Sequence, residues 1–321
     1  RRGRASARLF ALLREREGVR SVRLGPLSEE AVARCAERLL GAPPAPELLR
    51  LAGAAEGNPA ALSALLEGWR EEGAVRVEAG TARLTGAAAQ GQPPRRFGAL
   101  IRARARDLSP ATRLLVDVAA VTGPWCVPEE LAQLLATPVA ALLPRLREAL
   151  AAGLLAWRGD AVGFRREPVR LALLATVPEP LRGALHRQAA EMVLARGGPL
   201  PAAATHLLHG ARPGDRRAVA VLAEAAERTL PAQPELAARL ARRGLELGPP
   251  DDELRARLLD ATVAALTRCG PLPRAVTLAG EALARPLPAA TAARVGLGRS
   301  TALLLSGRPG EAAAAADRAL A

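Results

Sequence analysis

Hydrophobic positions in this chain recur mostly with a helical period, broken by a few short stretches that alternate. Residues 6–16 carry the helical pattern, and residues 19–24 alternate as a strand does before Gly25-Pro26-Leu27. Ser28 is placed to cap a helix running through Leu40, with Glu29 and Glu30 in its first turn, where the positive helix end favours acids. A proline-rich break at 42–46 precedes a short helix over 47–55. The run Glu56-Gly57-Asn58-Pro59 then opens a helix through Glu72. Residues 75–77 and 82–84 form a hairpin turned at Ala79-Gly80, and 86–94 reads as a linker.

The pattern changes from Phe97. Ser109-Pro110 and Thr137-Pro138 each set a capping hydroxyl before a proline, predicting helices near 110–121 and 138–152 with a shorter one over 128–135 between them. Residues 154–157 and 161–164, turned at Gly159-Asp160, predict a hairpin. Three helices followed by a hairpin is the order of a winged helix. Beyond Pro178 the pattern is helix and short turn only, and it repeats. Gly270, Ala275, Ala282 and Leu283 recur 37 residues on as Gly307, Ala312, Ala319 and Leu320. Ala237, Gly244 and Leu245 form an earlier copy 38 residues before the middle one. Small residues at these places let two antiparallel helices approach closely, as in tetratricopeptide-type pairs.

Composition changes the reading of charge. The 321 residues carry 45 basic and 32 acidic side chains, a formal net charge of +13, yet every basic residue is arginine and aromatics make up only 2%. With one asparagine, one isoleucine and no lysine or tyrosine, this is the product of a GC-rich coding sequence. The arginines are scattered, so solvated helix faces account for them better than a nucleic-acid footprint. Without lysine the chain has no Walker A loop, no Schiff-base lysine and no kinase β3 lysine. Cys35, Cys126 and Cys269 are far apart and form no C-x-x-C pair, as expected of reduced thiols in a cytoplasmic protein. No run of about 18 apolar residues predicts a membrane span.

Catalytic motifs are absent: there is no G-x-S-x-G and no H-E-x-x-H. His206 and His209, spaced i, i+3, offer two metal ligands but lack a third, and they read with His186 as polar tips on packed helices. The helix over 138–152 carries Leu142, Leu143, Leu146 and Leu150 on one stripe with only Arg145 and Arg147 basic, a poor surface for reading a major groove. By local physics Gly57-Asn58-Pro59 is an ordinary capped turn.

Taken in order, Leu24-Gly25-Pro26-Leu27-Ser28, Glu56-Gly57-Asn58-Pro59, Leu108-Ser109-Pro110, Phe164-Arg165-Arg166-Glu167 and Leu185-His186-Arg187 resemble one family over nearly the whole chain. It is that of the large ATP-binding LuxR-family transcriptional regulators of bacteria, within the STAND class of signalling ATPases. The resemblance implies a mainly α fold: residues 1–24 as the end of a P-loop ATPase core, 25–92 as a helical lid, 93–177 as a winged helix and 178–321 as a tetratricopeptide-like sensor. It implies ATP or ADP as cofactor in the full-length protein, which would be a slow regulatory ATPase whose Walker A lies outside this chain. Pro59 of Gly57-Asn58-Pro59 would pack on the adenine, and Pro26 and Leu27 would line the same pocket. Arg166 falls where the family's phosphate-contacting histidine stands, and Pro168 where leucine is usual. The implied partners are a small-molecule inducer or protein effector on the concave face of the repeats, DNA through a further C-terminal domain, and other copies in a nucleotide-dependent homo-oligomer. The alternative function is a helical-repeat interaction scaffold without a nucleotide role.

Overall fold

The computed structural model describes residues 24–320. The helix and strand expected before Leu24, and the ATPase-core segment they imply, lie outside the described residues. Contacts divide the described residues into two units: 24–104 together with Arg166–Ala172, and Ala105–Arg165 together with 173–320.

In the first unit, helix α1 (Glu29–Leu40) starts as its sequence predicts, with Ser28 accepting from the Ala31 amide at 3.2 Å. It ends at Gly41, whose φ of 76° provides the left-handed cap. Helix α2 (Pro46–Ala52) tightens into a 3-10 turn at Gly53–Ala55 before α3 (Pro59–Glu71). The hairpin of β1 (Val75–Glu78) and β2 (Thr81–Leu84) turns at Ala79 and Gly80, both at positive φ. The alanine-rich linker contains a helical turn, α4 (Gly86–Ala89), because alanine resists helix formation least. Helix α5 (Arg95–Arg106) follows, and Arg96 reaches back to Glu67 (2.6 Å) and Glu71 (2.7 Å) on α3. The core of this unit is Leu48, Leu62, Leu65, Leu66, Trp69, Phe97 and Ile101, each no more than 2% exposed.

The second unit begins with α6 (Pro110–Thr122), capped by Ser109 as predicted. Glu148 accepts from Ser109 N (2.8 Å), Ser109 Oγ (2.6 Å) and Thr112 Oγ1 (2.5 Å), and so fastens α8 (Val139–Ala151) to the start of α6. Helix α7 (Pro128–Leu134) lies between them in sequence. Thr137 does not cap α8 by its side chain: Pro138 itself occupies the capping position, one residue too late for the hydroxyl. A strand absent from the sequence reading, β3 (Trp125–Cys126), joins β4 (Ala156–Arg158) and β5 (Ala161–Gly163) in an antiparallel sheet ordered β3-β5-β4. Two residues are too few to display alternation.

Burial raises the Cys126 thiol to about 11, with Glu130 adding to it against a hydrogen bond to Thr122. Cys269 is exposed. Iodoacetamide at pH 8 is therefore expected to alkylate Cys269 in the folded chain while Cys126 reacts only on unfolding. Peptide mass spectrometry against time checks this, and equal native rates would contradict it.

Helix α9 (Glu167–Leu174) crosses between the units in sequence, and α10 (Glu179–Ala195) and α11 (Leu200–Gly210) form an antiparallel pair. Three further pairs follow: α12 (Arg216–Thr229) with α13 (Pro234–Glu246), α14 (Asp252–Cys269) with α15 (Leu272–Leu283), and α16 (Ala289–Leu305) with α17 (Pro309–Leu320). The 37-residue shift of the sequence is one such pair. Its small residues are where helices meet: Ala237, Ala275 and Ala312 are buried, and a Cβ on Gly244 would come 2.6 Å from Leu258 Cδ2. In the last three pairs the first helices pack on one another in succession, α12 on α14 and α14 on α16. Among the described residues no helix is long and apolar enough to cross a membrane.

Candidate functional site

Five of the six residues assigned to a nucleotide site lie together in the first unit. After α2 the chain turns through Glu56 and Gly57, both in the left-handed region (φ 49° and 67°). Glu56 N donates to Gly53 O and Asn58 N to Ala55 O, closing the turn. Asn58 Oδ1 then accepts from Ala61 N at 3.1 Å and caps α3, with Pro59 as its first residue. This turn is clasped from outside: Leu27 N donates to Gly57 O at 2.8 Å. The fit leaves no room for a side chain, since a Cβ on Gly57 would stand 2.7 Å from Pro26 Cβ and 2.8 Å from both Leu27 N and Leu27 O. Pro26 and Pro59 stay exposed and Leu27 is half-buried.

The sixth residue, Arg166, caps α9 by its backbone, its carbonyl accepting from Val169 N at 3.1 Å. Its side chain is exposed and has no partner among the described residues. Pro168 sits buried in the first turn of α9, where a missing N–H costs the helix nothing. Beside it, Arg170 is held by Glu167 through hydrogen bonds of 3.0 Å from Nε to both carboxylate oxygens. The segment Arg166–Ala172 groups with the residues of the clasp rather than with the hairpin that precedes it.

The outward face of α8 is apolar, with Val139 46% and Leu143 50% exposed. Trp157 on β4 is also half-exposed, and Arg158 stacks on Trp125 at 4.5 Å. Val139 and Leu143 offer no hydrogen-bonding group to a base edge.

The three histidines of the chain converge, which their sequence spacing did not reveal. His186 on α10 and His206 on α11 bring their Nδ1 atoms to 3.1 Å, so one ring donates and the other accepts. The His209 ring lies 5.1 Å from that of His186. No group of three His, Cys, Asp or Glu among the described residues is placed to hold a metal. Arg187 donates to Gly210 O (2.8 Å) and Arg243 to Ala211 O (3.1 Å) at the same end of α11. Burial, and then the charge of His209, hold the His206 pKa below its usual value. A lowered folded pKa means the unfolded chain takes the proton first. The contribution of His206 is thus complete above the ordinary histidine value and lost as pH falls below it, levelling off beneath the folded pKa. The melting temperature is expected to fall from pH 7.5 to 5.5 by more in the native chain than in His206→Leu; an equal fall would contradict this.

Among the cavities on the helix pairs, two lie in corresponding places, each between the second helices of successive pairs with a first helix as floor. One, of about 320 Å³, lies between α13 and α15 over α14, with Arg239, Arg242, Arg274 and Glu281 around Leu245 and Leu278. The other, of about 550 Å³, lies between α15 and α17 over α16. Both volumes are in the range of small-molecule sites.

These features define a mainly helical chain with a degenerate helix-pair repeat over residues 179–320. No protein-family model matches the chain, and no curated protein is similar to it. Among solved structures the chain is similar to a signal transduction ATPase with numerous domains (STAND) that carries a tetratricopeptide repeat sensor, from Pyrococcus horikoshii. The identity is 15%, the TM-score 0.45, and the match covers 95% of this chain and 42% of the archaeal one. The chain therefore spans less than half the length of that neighbour.

Proposed function

We propose that this chain is the switch and sensor middle of a signal-dependent, ATP-binding transcription regulator of the large LuxR type, coupling nucleotide state to effector binding on its helix pairs. The observation that carries the proposal is the clasp of Leu27 on Gly57, which gathers Pro26, Leu27, Asn58 and Pro59 into one corner of the lid. The exposed faces of Pro26 and Pro59 suit the flat apolar face of an adenine. The Leu27 amide is committed to Gly57 O, so pairing to the base edge falls to other groups. Arg166, exposed and without a partner among the described residues, supplies a charge that suits a phosphate and belongs to the same unit. Residues 25–92 act in this reading as the lid, 93–177 as a winged helix and 178–321 as the sensor.

The helix–strand–helix–helix–hairpin order and its β3-β5-β4 sheet support the winged-helix assignment. The apolar outward face of α8 suits a lever that contacts protein, with DNA contacted by a domain beyond this chain. An effector that binds one nucleotide state better than the other shifts the balance between them, and its differential affinity sets the size of that shift.

One observation favours the scaffold reading instead: Asn58 is spent on capping α3 and the Gly57 conformation on the clasp, so local structure accounts for both residues. The two readings separate in the complete protein. Arg166→Gln is expected to weaken ADP binding at least about tenfold, the loss of one charge-assisted contact, and to alter the effector response. Unchanged ADP affinity and unchanged response would favour the scaffold.

A further inference from the structure

The cavity over α16 is a modified copy of the cavity over α14. The 37-residue repeat carries Thr262 onto Arg299, Leu278 onto Ala315 and Glu281 onto Arg318, and the 38-residue offset of the earlier copy carries Arg242 onto Gly280. The changes act together. Leucine gives way to alanine and arginine to glycine, and the volume rises from about 320 to about 550 Å³. Threonine and glutamate both give way to arginine, so the larger cavity has two guanidinium groups and no carboxylate in its lining, while the smaller one retains Glu281. The remaining walls are alanine, glycine and Leu283.

Arg299 lines this cavity half-buried, with its Nε enclosed by protein and, like those of Arg182 and Arg243, without a hydrogen-bond partner among the described residues. A partly desolvated guanidinium in an apolar lining is a strong partner for an anionic oxygen. Its guanidinium lies beside Gly280, where a Cβ would come 3.7 Å from Cζ. The acid that senses its charge, Glu311, is already bound by Arg308 at 2.7 and 2.6 Å, and that pair is the main reason its carboxyl lies below the usual range. The smaller cavity, one pair earlier, is open in the same way, so the opening belongs to the repeat geometry itself.

We propose that the cavity lined by α15, α16 and α17 binds a small organic anion, a carboxylate or phosphate ester with a compact apolar body, through Arg299 and Arg318. This rests on the reading of the helix pairs as a sensor and names the chemistry of what they sense.

Calorimetric titration of the whole chain tests it with phenyl phosphate and hexanoate as probes and phenol and hexanamide as their neutral counterparts. At least one anion is expected to bind about tenfold or more tightly than its neutral counterpart. The better anion tells a phosphate from a carboxylate site. Arg299→Gln is expected to weaken it about tenfold, and Gly280→Leu, which places bulk where Arg242 stands one pair earlier, to abolish it with helix content unchanged. Glu281→Gln, in the smaller cavity, is expected to leave it unaltered. Neutral counterparts binding equally, neither anion binding at millimolar concentration, or Arg299→Gln binding like the native chain would each overturn the proposal. An anion that binds the Arg299→Gln chain as tightly as the native chain would remove this cavity but not the sensor, which fails only if the complete protein responds to its effector without the helix pairs.

Discussion

Gly57→Ala is expected to destabilise the first unit by about 3 kcal/mol, whereas Gly41→Ala, in the same unit, costs about 1 kcal/mol. Both glycines are left-handed, with φ of 67° and 76°, so the conformational cost of an added methyl is shared. They differ in surroundings: nothing lies within 4 Å of a Cβ on Gly41, whereas a Cβ on Gly57 meets Pro26 and the backbone of Leu27 at 2.7–2.8 Å. Backbone atoms cannot rotate away as a side chain can. Relief requires moving Leu27, which breaks its 2.8 Å hydrogen bond to Gly57 O. Amide hydrogen exchange in α3 reads the difference, a loss of protection of roughly a hundredfold for Gly57→Ala and about fivefold for Gly41→Ala. Equal losses would mean that no clasp holds the turn.

The other large effect belongs to Gly163. It sits on the central strand of the three-stranded sheet, paired with Trp125 on one side and Ala156 on the other. A Cβ there would be 2.0 Å from Pro124 O and 2.8 Å from Trp125 Cα. Here the backbone conformation is permissible for any residue, so the cost is steric alone. Pro124 O also accepts from Phe164 N at 2.8 Å, and displacing it unpairs β3. Gly163→Ala is expected to cost about 3 kcal/mol and to expose Cys126, which shares β3 with Trp125. Alkylation of Cys126 under native conditions should then accelerate by about two orders of magnitude. An unchanged rate would show that β3 tolerates the methyl.

Local signals in the sequence were legible where one residue decides the outcome. Ser28, Asn58 and Ser109 cap the helices they precede, because a short oxygen before a helix start has one obvious donor to meet. The recurrence of Ala237, Ala275 and Ala312 announced the helix pairs, since only small residues permit such close packing. What the sequence concealed depends on distance along the chain. The meeting of His186 with His206 and His209 follows from pairing α10 with α11, and no local pattern encodes it. Strand β3 exists because Gly163 leaves space for it. The clasp joins residues thirty positions apart, and Pro26 and Leu27 were associated with Gly57 by family resemblance rather than by local physics.

The arginines show both sides of this. Many do lie on solvated faces, in exposed ion pairs such as Arg34–Glu30 and Arg242–Glu246 that contribute little stability. Arg299 does not: it lines the cavity over α16, a placement set by the register of the repeat in three dimensions.

The proposed coupling of a nucleotide site to a sensor in a transcription regulator is tested most directly by determining the reading frame on both sides of this chain. The expected result is a G-x-x-x-x-G-K-[ST] loop upstream of Arg1, which supplies the lysine this chain lacks, and a helix-turn-helix downstream of Ala321. A frame with neither would contradict the nucleotide and transcription assignments together and leave a helical-repeat scaffold.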